Sequence, residues 1–483
     1  MFANLKIYNQ ELINQAEQKS FVKEDSYLIM KRAALACAKY IDTKYDSKNI
    51  LVLCGPGNNG GDGILIAKYL IEKDYNVRIY SPMDCGKSED SSKALSELNN
   101  KNIFCNALNL GDVDLVIDAL FGFNLNKPLS KNIISAIEKI NDHKAIKLSI
   151  DVASGLYCDN GHIDVEAFRA DTTLTFHRIK PCHVLHPGKE YSGSVKIIDI
   201  GLENLDKNCN FEIISPPEIK SPHVNVHKYK NGELYIVASE DMVGASKLAT
   251  LSASQVALKS GIGIVKLLVK EGCEDFYRKH ILEEMLIIYK DVEELNQILF
   301  NAKNCNVVFG CGIKISDDNH EVLEMILKIK CNLVLDASAF SVIEQDRDKF
   351  INLLRVHDGE IILTPHQGEF KRVFKTSKNK INDVMLAAKE TNNIVLYKGN
   401  DTVISSNNKV FVNYSTSSYL ATAGSGDVLS GLIGSLLAQG YEGIIASTIG
   451  CYLHSMCALE INKPLSANDL IQKIPDVIKK YSS

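Results

Sequence analysis

The chain has 483 residues, of which 45% are hydrophobic and 23% charged, with a formal net charge of −5. That length favours two or more domains, each able to bury its own core, and the composition is that of an ordinary globular protein. The negative balance argues against nucleic acid as the main partner, and thirteen cysteines without a C-x-x-C pair argue against a metal or disulfide framework.

Residues 9–41 carry apolar positions at helical spacing and predict a helix. The opening MFANLKIYNQELINQAEQKS lacks a basic start followed by an apolar core, so no signal peptide is expected. Short β-rich runs then alternate with helical ones, at 50–53, 76–80, 115–117 and 145–150. Such alternation indicates a parallel sheet with helices on both faces. Residues 205–225, LDKNCNFEIISPPEIKSPHVN, hold Pro216, Pro217 and Pro222 among polar residues and make the best linker candidate. Beyond it the pattern restarts, with strands expected at 234–238, 264–268, 307–309, 333–335, 361–363 and 394–397. A Gly/Ser/Ala-rich segment from Ser415 leads into closing helices. The most apolar stretch, 429–453, is interrupted by Gln439, Glu442 and glycines, and reads as buried helices and not as a membrane span. Two α/β domains in a cytoplasmic chain with reduced thiols is the expectation.

The stretch CGPGNNGGDG, residues 54–63, sits between a strand-like and a helix-like run. Gly55, Gly57 and Gly60 match G-x-G-x-x-G, but the next strand ends Val77-Arg-Ile-Tyr-Ser81 with no carboxylate to hold a ribose. No Lys-Ser/Thr follows the loop, which argues against a P-loop as well. Asn58, Asn59 and Asp62 offer oxygen donors that suit a monovalent or hard cation with a hydroxylated ligand; the alternative is asparagines that merely adopt left-handed turns. Asp118 and Asp151-Val-Ala-Ser154 stand just past two further apolar runs. Ligands of open α/β sheets bind outside the carboxyl ends of strands, so these three ends converge if the sheet order permits.

The NNGGDG loop, Asp118-Ala-Leu-Phe-Gly122, Asp151-Val-Ala-Ser-Gly155 and the tail from Ala170 through Lys180 to Gly201 resemble the NAD(P)H-hydrate epimerase domain, over residues 1–208. The resemblance implies a Rossmann-like three-layer α/β/α fold. It implies potassium bound by Asn59, Asp118 and Ser154. It also implies hydrated nicotinamide nucleotide on Asn58, Asn59, Gly60, Gly61 and Asp62, and on Gly122, Phe123, Asn124, Leu125, Asn126, Lys127 and Pro128, with Asp151 as the catalytic carboxylate. Met30-Lys-Arg-Ala-Ala stands where the family has Met-Glu-x-Ala-Gly.

In the second half, Ala421-Thr-Ala-Gly-Ser-Gly-Asp427 opens an apolar helix. Its glycines let backbone N–H groups approach a ligand, and the helix dipole favours negative charge there. Asp427 can then take a proton from a hydroxyl while the N–H groups hold a transferring phosphoryl; the alternative is tight helix packing with Asp427 as a cap. His366 alone reads more readily as a hydrogen-bonded structural histidine; Asp336, after a strand, reads equally as a site residue or a turn former.

Gly244-Ala245, Leu363-Thr-Pro-His366, Lys398-Gly-Asn-Asp-Thr402 and Gly424-Ser-Gly-Asp427 together resemble the ADP/ATP-dependent NAD(P)H-hydrate dehydratase, over residues 223–483. That implies a ribokinase-like α/β fold. Ala245, Gly312, His366 and Asp427 would contact the hydrated dinucleotide, with Asp427 as catalytic base. Lys398, Gly399, Asn400, Asp401, Thr402 and Gly426 would hold ADP or ATP with magnesium.

The expectation is a bifunctional repair enzyme with small-molecule substrates, no nucleic-acid or membrane partner, and a homo-oligomeric state. It would epimerise the R and S forms of hydrated NAD(P)H and dehydrate the S form at the expense of ADP or ATP. Two rivals stand beside it. One is a ribokinase-like vitamin-precursor kinase fused to a binding module; the other is an N-terminal scaffolding domain whose catalysis is lost, against which Asn59, Asp118, Asp151 and Ser154 argue.

Overall fold

The computed structural model describes residues 5–98, 101–219, 232–260, 263–279 and 283–482. Two compact units divide between Phe211 and Glu212. This point lies within the expected linker 205–225, whose residues 220–225 fall outside the described residues, as does the expected domain start at 223.

In the first unit the strands are β1 (Asn49–Cys54), β2 (Asn76–Tyr80), β3 (Phe104–Cys105), β4 (Leu115–Ala119), β5 (Ile146–Ile150), β6 (Thr172–Phe176) and β7 (Ser194–Ile198). They form one parallel sheet in the order β3-β2-β1-β4-β5-β6-β7. The alternating pleat explains why β1 is apolar from Ile50 onward. Ile50, Val52 and Cys54 enter one buried cluster, while Leu51 and Leu53 enter another on the opposite face. Three layers result. Because the strand order reverses direction between β1 and β4, a crevice opens at their carboxyl ends.

The helix expected over 9–41 is two helices, Gln10–Phe21 and Ser26–Lys44. Asp25 makes the break, since its side chain accepts from the Tyr27 amide and caps the second helix. The strand expected at 115–117 continues to Ala119, so Asp118 lies within β4 and not past it.

The sheet of the second unit is built from β8 (Phe211–Ile213), which begins at the unit boundary, β9 (Glu233–Val237), β10 (Ile264–Lys270), β11 (Met285–Tyr289), β12 (Cys305–Phe309), β13 (Asn332–Leu335), β14 (Ile361–Leu363), β15 (Ile394–Tyr397), β16 (Val403–Ser406) and β17 (Lys409–Val412). The sheet order is β11-β10-β9-β12-β13-β14-β15-β16-β17-β8. Strands β9 to β15 are parallel, and β16 and β17 join as an antiparallel hairpin. The helices Ser425–Ala438, Gly443–Ile461 and Ala467–Tyr481 cover one face, burying Leu432, Leu436, Leu453 and Leu470 in one cluster with Ile236, Val308, Val334 and Leu396. Gly443–Ile461 is long and apolar enough to cross a membrane by length and composition, and 67% of its most apolar window is packed inside the unit.

Candidate functional site

In the first unit the glycine loop leaves β1 and becomes the helix Asn58–Ile71. A Cβ at Gly60 would lie 1.9 Å from the Gly55 carbonyl oxygen, so only glycine lets the first helical turn close onto the strand end. At the end of β4 Asp118 is fully buried. Its carboxylate accepts from Ser154 Oγ at 2.6 Å, Ser154 N at 2.8 Å, Leu120 N at 3.2 Å and Ser149 Oγ at 3.2 Å. No cationic side chain among the described residues pairs with it, and burial pushes its carboxyl up to about 6 despite those hydrogen bonds. Asn59 Nδ2 is buried without a partner among the described residues.

Past β5, Asp151 is held at φ +67°, a left-handed conformation that costs an aspartate free energy. Its carboxylate pairs with Lys180 Nζ at 2.5 Å, and the side chains are 5% and 1% exposed. Phe123 N donates to it at 3.1 Å and Phe176 N at 3.3 Å. Lys180 is completed by Thr175 Oγ1 at 2.8 Å and the Phe176 carbonyl at 2.9 Å. Burial alone would raise the Asp151 carboxyl, but the Lys180 charge and hydrogen bond outweigh it and hold the group below its ordinary value.

A cavity of about 490 Å³ opens over these ends. Asn58, Asn59, Asp62, Asp151 and the whole stretch 122–128 line it, together with Glu17 and Phe176. Gly60 and Gly61 are buried in the helix start and do not border it. Lys31 and Arg32 also stay outside: Lys31 pairs with Glu97 at 2.5 Å, and Arg32 binds Glu24 and the Ile200 carbonyl.

The second unit gathers its polar groups around Asp336, at the end of β13. This side chain, 1% exposed, pairs with Lys398 Nζ at 2.6 Å and accepts from Ser430 Oγ at 2.6 Å. Burial would raise its carboxyl, and Lys398 followed by Ser430 reverses the shift and lowers it. Burial likewise opposes the Lys398 charge, but Asp336 and Glu369 raise its pKa, so it stays an ammonium. A Cβ on Gly426 would stand 3.3 Å from Lys398 Nζ, which puts the start of the helix Ser425–Ala438 directly over this ion pair. Asp427, in the same turn, is pushed up to about 6, first by burial and then by the Asp336 charge.

The remaining residues divide. Gly312, at φ +76°, lies against Ala245, whose Cβ is 3.0 Å from where a Gly312 Cβ would be. His366 caps the helix Gln367–Val373, its Nδ1 accepting from Gly368 N at 2.9 Å and Glu369 N at 3.3 Å. The structural role expected of a lone histidine is therefore present, with the ring still half exposed. Asp401 turns inward to Lys380 at 2.6 Å, and Thr402 closes the turn onto the Gly399 carbonyl at 3.1 Å; Gly399 and Asn400 form the rim of that turn. Sequence reasoning assigned no role to Lys180, Asp336 or Lys380. For Asp336 the signal was present, a carboxylate after an apolar run, but it was equally that of a turn former.

A family model described as NAD(P)H-hydrate dehydratase matches residues 234–480, and one described as YjeF-related protein N-terminus matches residues 26–182. A bifunctional NAD(P)H-hydrate repair enzyme from Synechocystis is 30% identical, over 85% of this chain and 81% of its own length. The chain belongs to this family of bifunctional NAD(P)H-hydrate repair enzymes. Another member, from Archaeoglobus fulgidus, is 29% identical over 94% of this chain and 95% of its own length. Among solved structures, an ADP/ATP-dependent NAD(P)H-hydrate dehydratase from Bacillus subtilis is 23% identical, covering 55% of this chain and 95% of its own with a TM-score of 0.45. The repair-enzyme family thus spans both units, and the two clusters of buried carboxylates lie one in each.

Proposed function

We propose that the first unit epimerises hydrated NADH and NADPH at the Asp151 cavity, and that the second dehydrates the S epimer at Asp427 with ADP or ATP. The carrying observation is Asp427. It is a half-buried carboxylate, beside an ion pair, at a helix start whose free N–H groups suit phosphoryl oxygens. Asp427 takes the proton of the substrate hydroxyl as that oxygen attacks the terminal phosphoryl group. Lys398 and the N–H groups at Gly426 and Asp427 stabilise the charge on the transferring group. Phosphorylation turns a poor leaving group into a good one; departure of phosphate, with its C–O electron pair, and loss of the proton on the neighbouring ring carbon re-form the ring double bond of the reduced nicotinamide. Magnesium would be carried in by the nucleotide phosphates and would neutralise their charge. Thirteen free cysteines support a reducing, cytoplasmic setting.

Mixed hydrate epimers given ADP or ATP should regain NADH absorbance completely. Consumption of a thiazole or pyrimidine alcohol in place of the hydrate would refute this reading.

Potassium is the resident ion of the epimerase site in this reading. Its donors are oxygens of Asn59, Asp118 and Ser154, and the fit rests on a buried carboxylate with no cationic side chain beside it among the described residues. The ion would neutralise Asp118 and fix the three strand ends against one another. Asp118→Ala should raise the potassium needed for half-maximal epimerisation by about tenfold or more, as lost ligand contacts do, and leave dehydration unchanged. A native enzyme equally active with a large organic cation would remove potassium from the mechanism.

A further inference from the structure

Two carboxylates in the first unit face the cavity without a hydrogen-bond or ion-pair partner among the described residues. Glu17, on the helix Gln10–Phe21, and Asp62, in the helix Asn58–Ile71, line the same space as Asp151. Asp62 is 7% exposed, and neither side chain has a hydrogen bond or ion pair with a described residue. An unpaired carboxylate at such depth costs free energy unless it keeps its proton or meets a ligand. Asp151 is the opposite case, with Lys180 against it.

We propose that Glu17 is the second catalytic carboxylate of epimerisation and delivers the proton to the departing hydroxyl. The inference rests on the cavity being the epimerase site. Hydration adds water across a ring enamine, which leaves the hydroxyl on the carbon bonded to the ring nitrogen. Inverting that carbon requires its C–O bond to break and re-form on the other face. Glu17, as the acid, protonates the hydroxyl oxygen while the C–O bond breaks. Water departs, and the nitrogen lone pair closes the C=N bond of a planar iminium. Water then adds to the opposite face and the C=N electron pair returns to nitrogen. Asp151, as carboxylate, takes the proton that this water loses and passes it back to Glu17 through solvent.

The two environments set these protonation states apart. Burial, and then the Asp151 charge, push the Glu17 carboxyl up to about 7, with Lys180 opposing; Asp151 is held ionised. Asp62 is itself raised well above its ordinary value, first by burial and then by the charges of Asp151 and Glu17. Carboxyls driven apart in this way divide the acid and base roles.

The test is Glu17→Gln in the full chain, with epimer interconversion followed by chromatography without nucleotide. We expect kcat for epimerisation to fall about 10²-fold with KM changed by less than about threefold. The native decline in rate above about pH 7 should vanish in the variant. Scanning calorimetry of the same preparation, with the transition of the first unit unchanged, reports its integrity. A native kcat, or a loss confined to KM, overturns the proposal. Should the variant not fold, the native pH profile decides, and a rate that stays flat up to about pH 9 also overturns it. Asp151→Asn separates the two levels. If it too epimerises normally, the cavity is not the epimerase site; if it alone is impaired, only the role of Glu17 falls.

Discussion

Asp427→Asn is expected to lower dehydration by about 10²–10⁴-fold, the usual loss on removing a general base. The amide keeps the shape of the carboxylate, so the helix start and the Asp336–Lys398 pair at 2.6 Å should persist. Nucleotide and hydrate should therefore still bind, and KM should move far less than kcat. The pH dependence carries a sign. A base works ionised, and burial with the Asp336 charge pushes the Asp427 carboxyl up to about 6. Dehydration by the native enzyme should then rise about tenfold per pH unit below that value and level off above it, a limb absent from the variant. Epimer interconversion without nucleotide should be untouched. A variant that dehydrates at the native rate would reduce the glycine-rich turn to packing.

Lys180→Met should be the most damaging single change in the first unit. It removes one partner of an ion pair whose side chains are 1% and 5% exposed. Breaking such a pair leaves an uncompensated buried charge, at about 3–5 kcal/mol. In the native protein the Asp151 carboxyl is depressed, so the stability it contributes is present above its unfolded pKa and is lost as pH falls through the folded value. In Lys180→Met burial is opposed only by the weaker His183 and backbone N–H contributions, and the carboxyl rises. The deficit should then be largest at neutral pH and shrink on acidification as Asp151 takes up a proton. Scanning calorimetry at several pH values reads both trends. Epimerisation should be lost with the ion pair while dehydration continues. A first unit of native stability at neutral pH would mean that the pair is not what holds Asp151.

Much of both sites could be read in the chain because the residues concerned sit at predictable ends of elements. Apolar runs named most of the strands; Asn59, Asp118 and Asp151 follow or close them, and Asp427 opens an apolar helix. The elements missed have local causes. Strand β3 has two residues, too few for a period. Strands β16 and β17 meet at Asn407-Asn408, both at positive φ, a hairpin turn whose asparagine signal was present but not used. The helix over 9–41 was read as one because its apolar spacing runs on through Asp25, where a cap costs nothing in pattern yet redirects the chain.

By itself the sequence determined two α/β units and the chemistry of their loops, since hydrophobic period and glycine placement are local properties. Which polar groups meet is not local. The order β3-β2-β1-β4-β5 brings Asn59, Asp118 and Ser154 to adjacent strand ends, and a different order of the same strands would have scattered them. Lys180 follows Asp151 by 29 positions and Lys398 follows Asp336 by 62, so only the folded chain could pair them. Glu17 lies in an amphipathic helix like many others, and it faces the cavity only because the fold places that helix beside the glycine loop. Burial then decides which of these carboxylates keeps its proton, through the low polarity of the surroundings and the nearest charge.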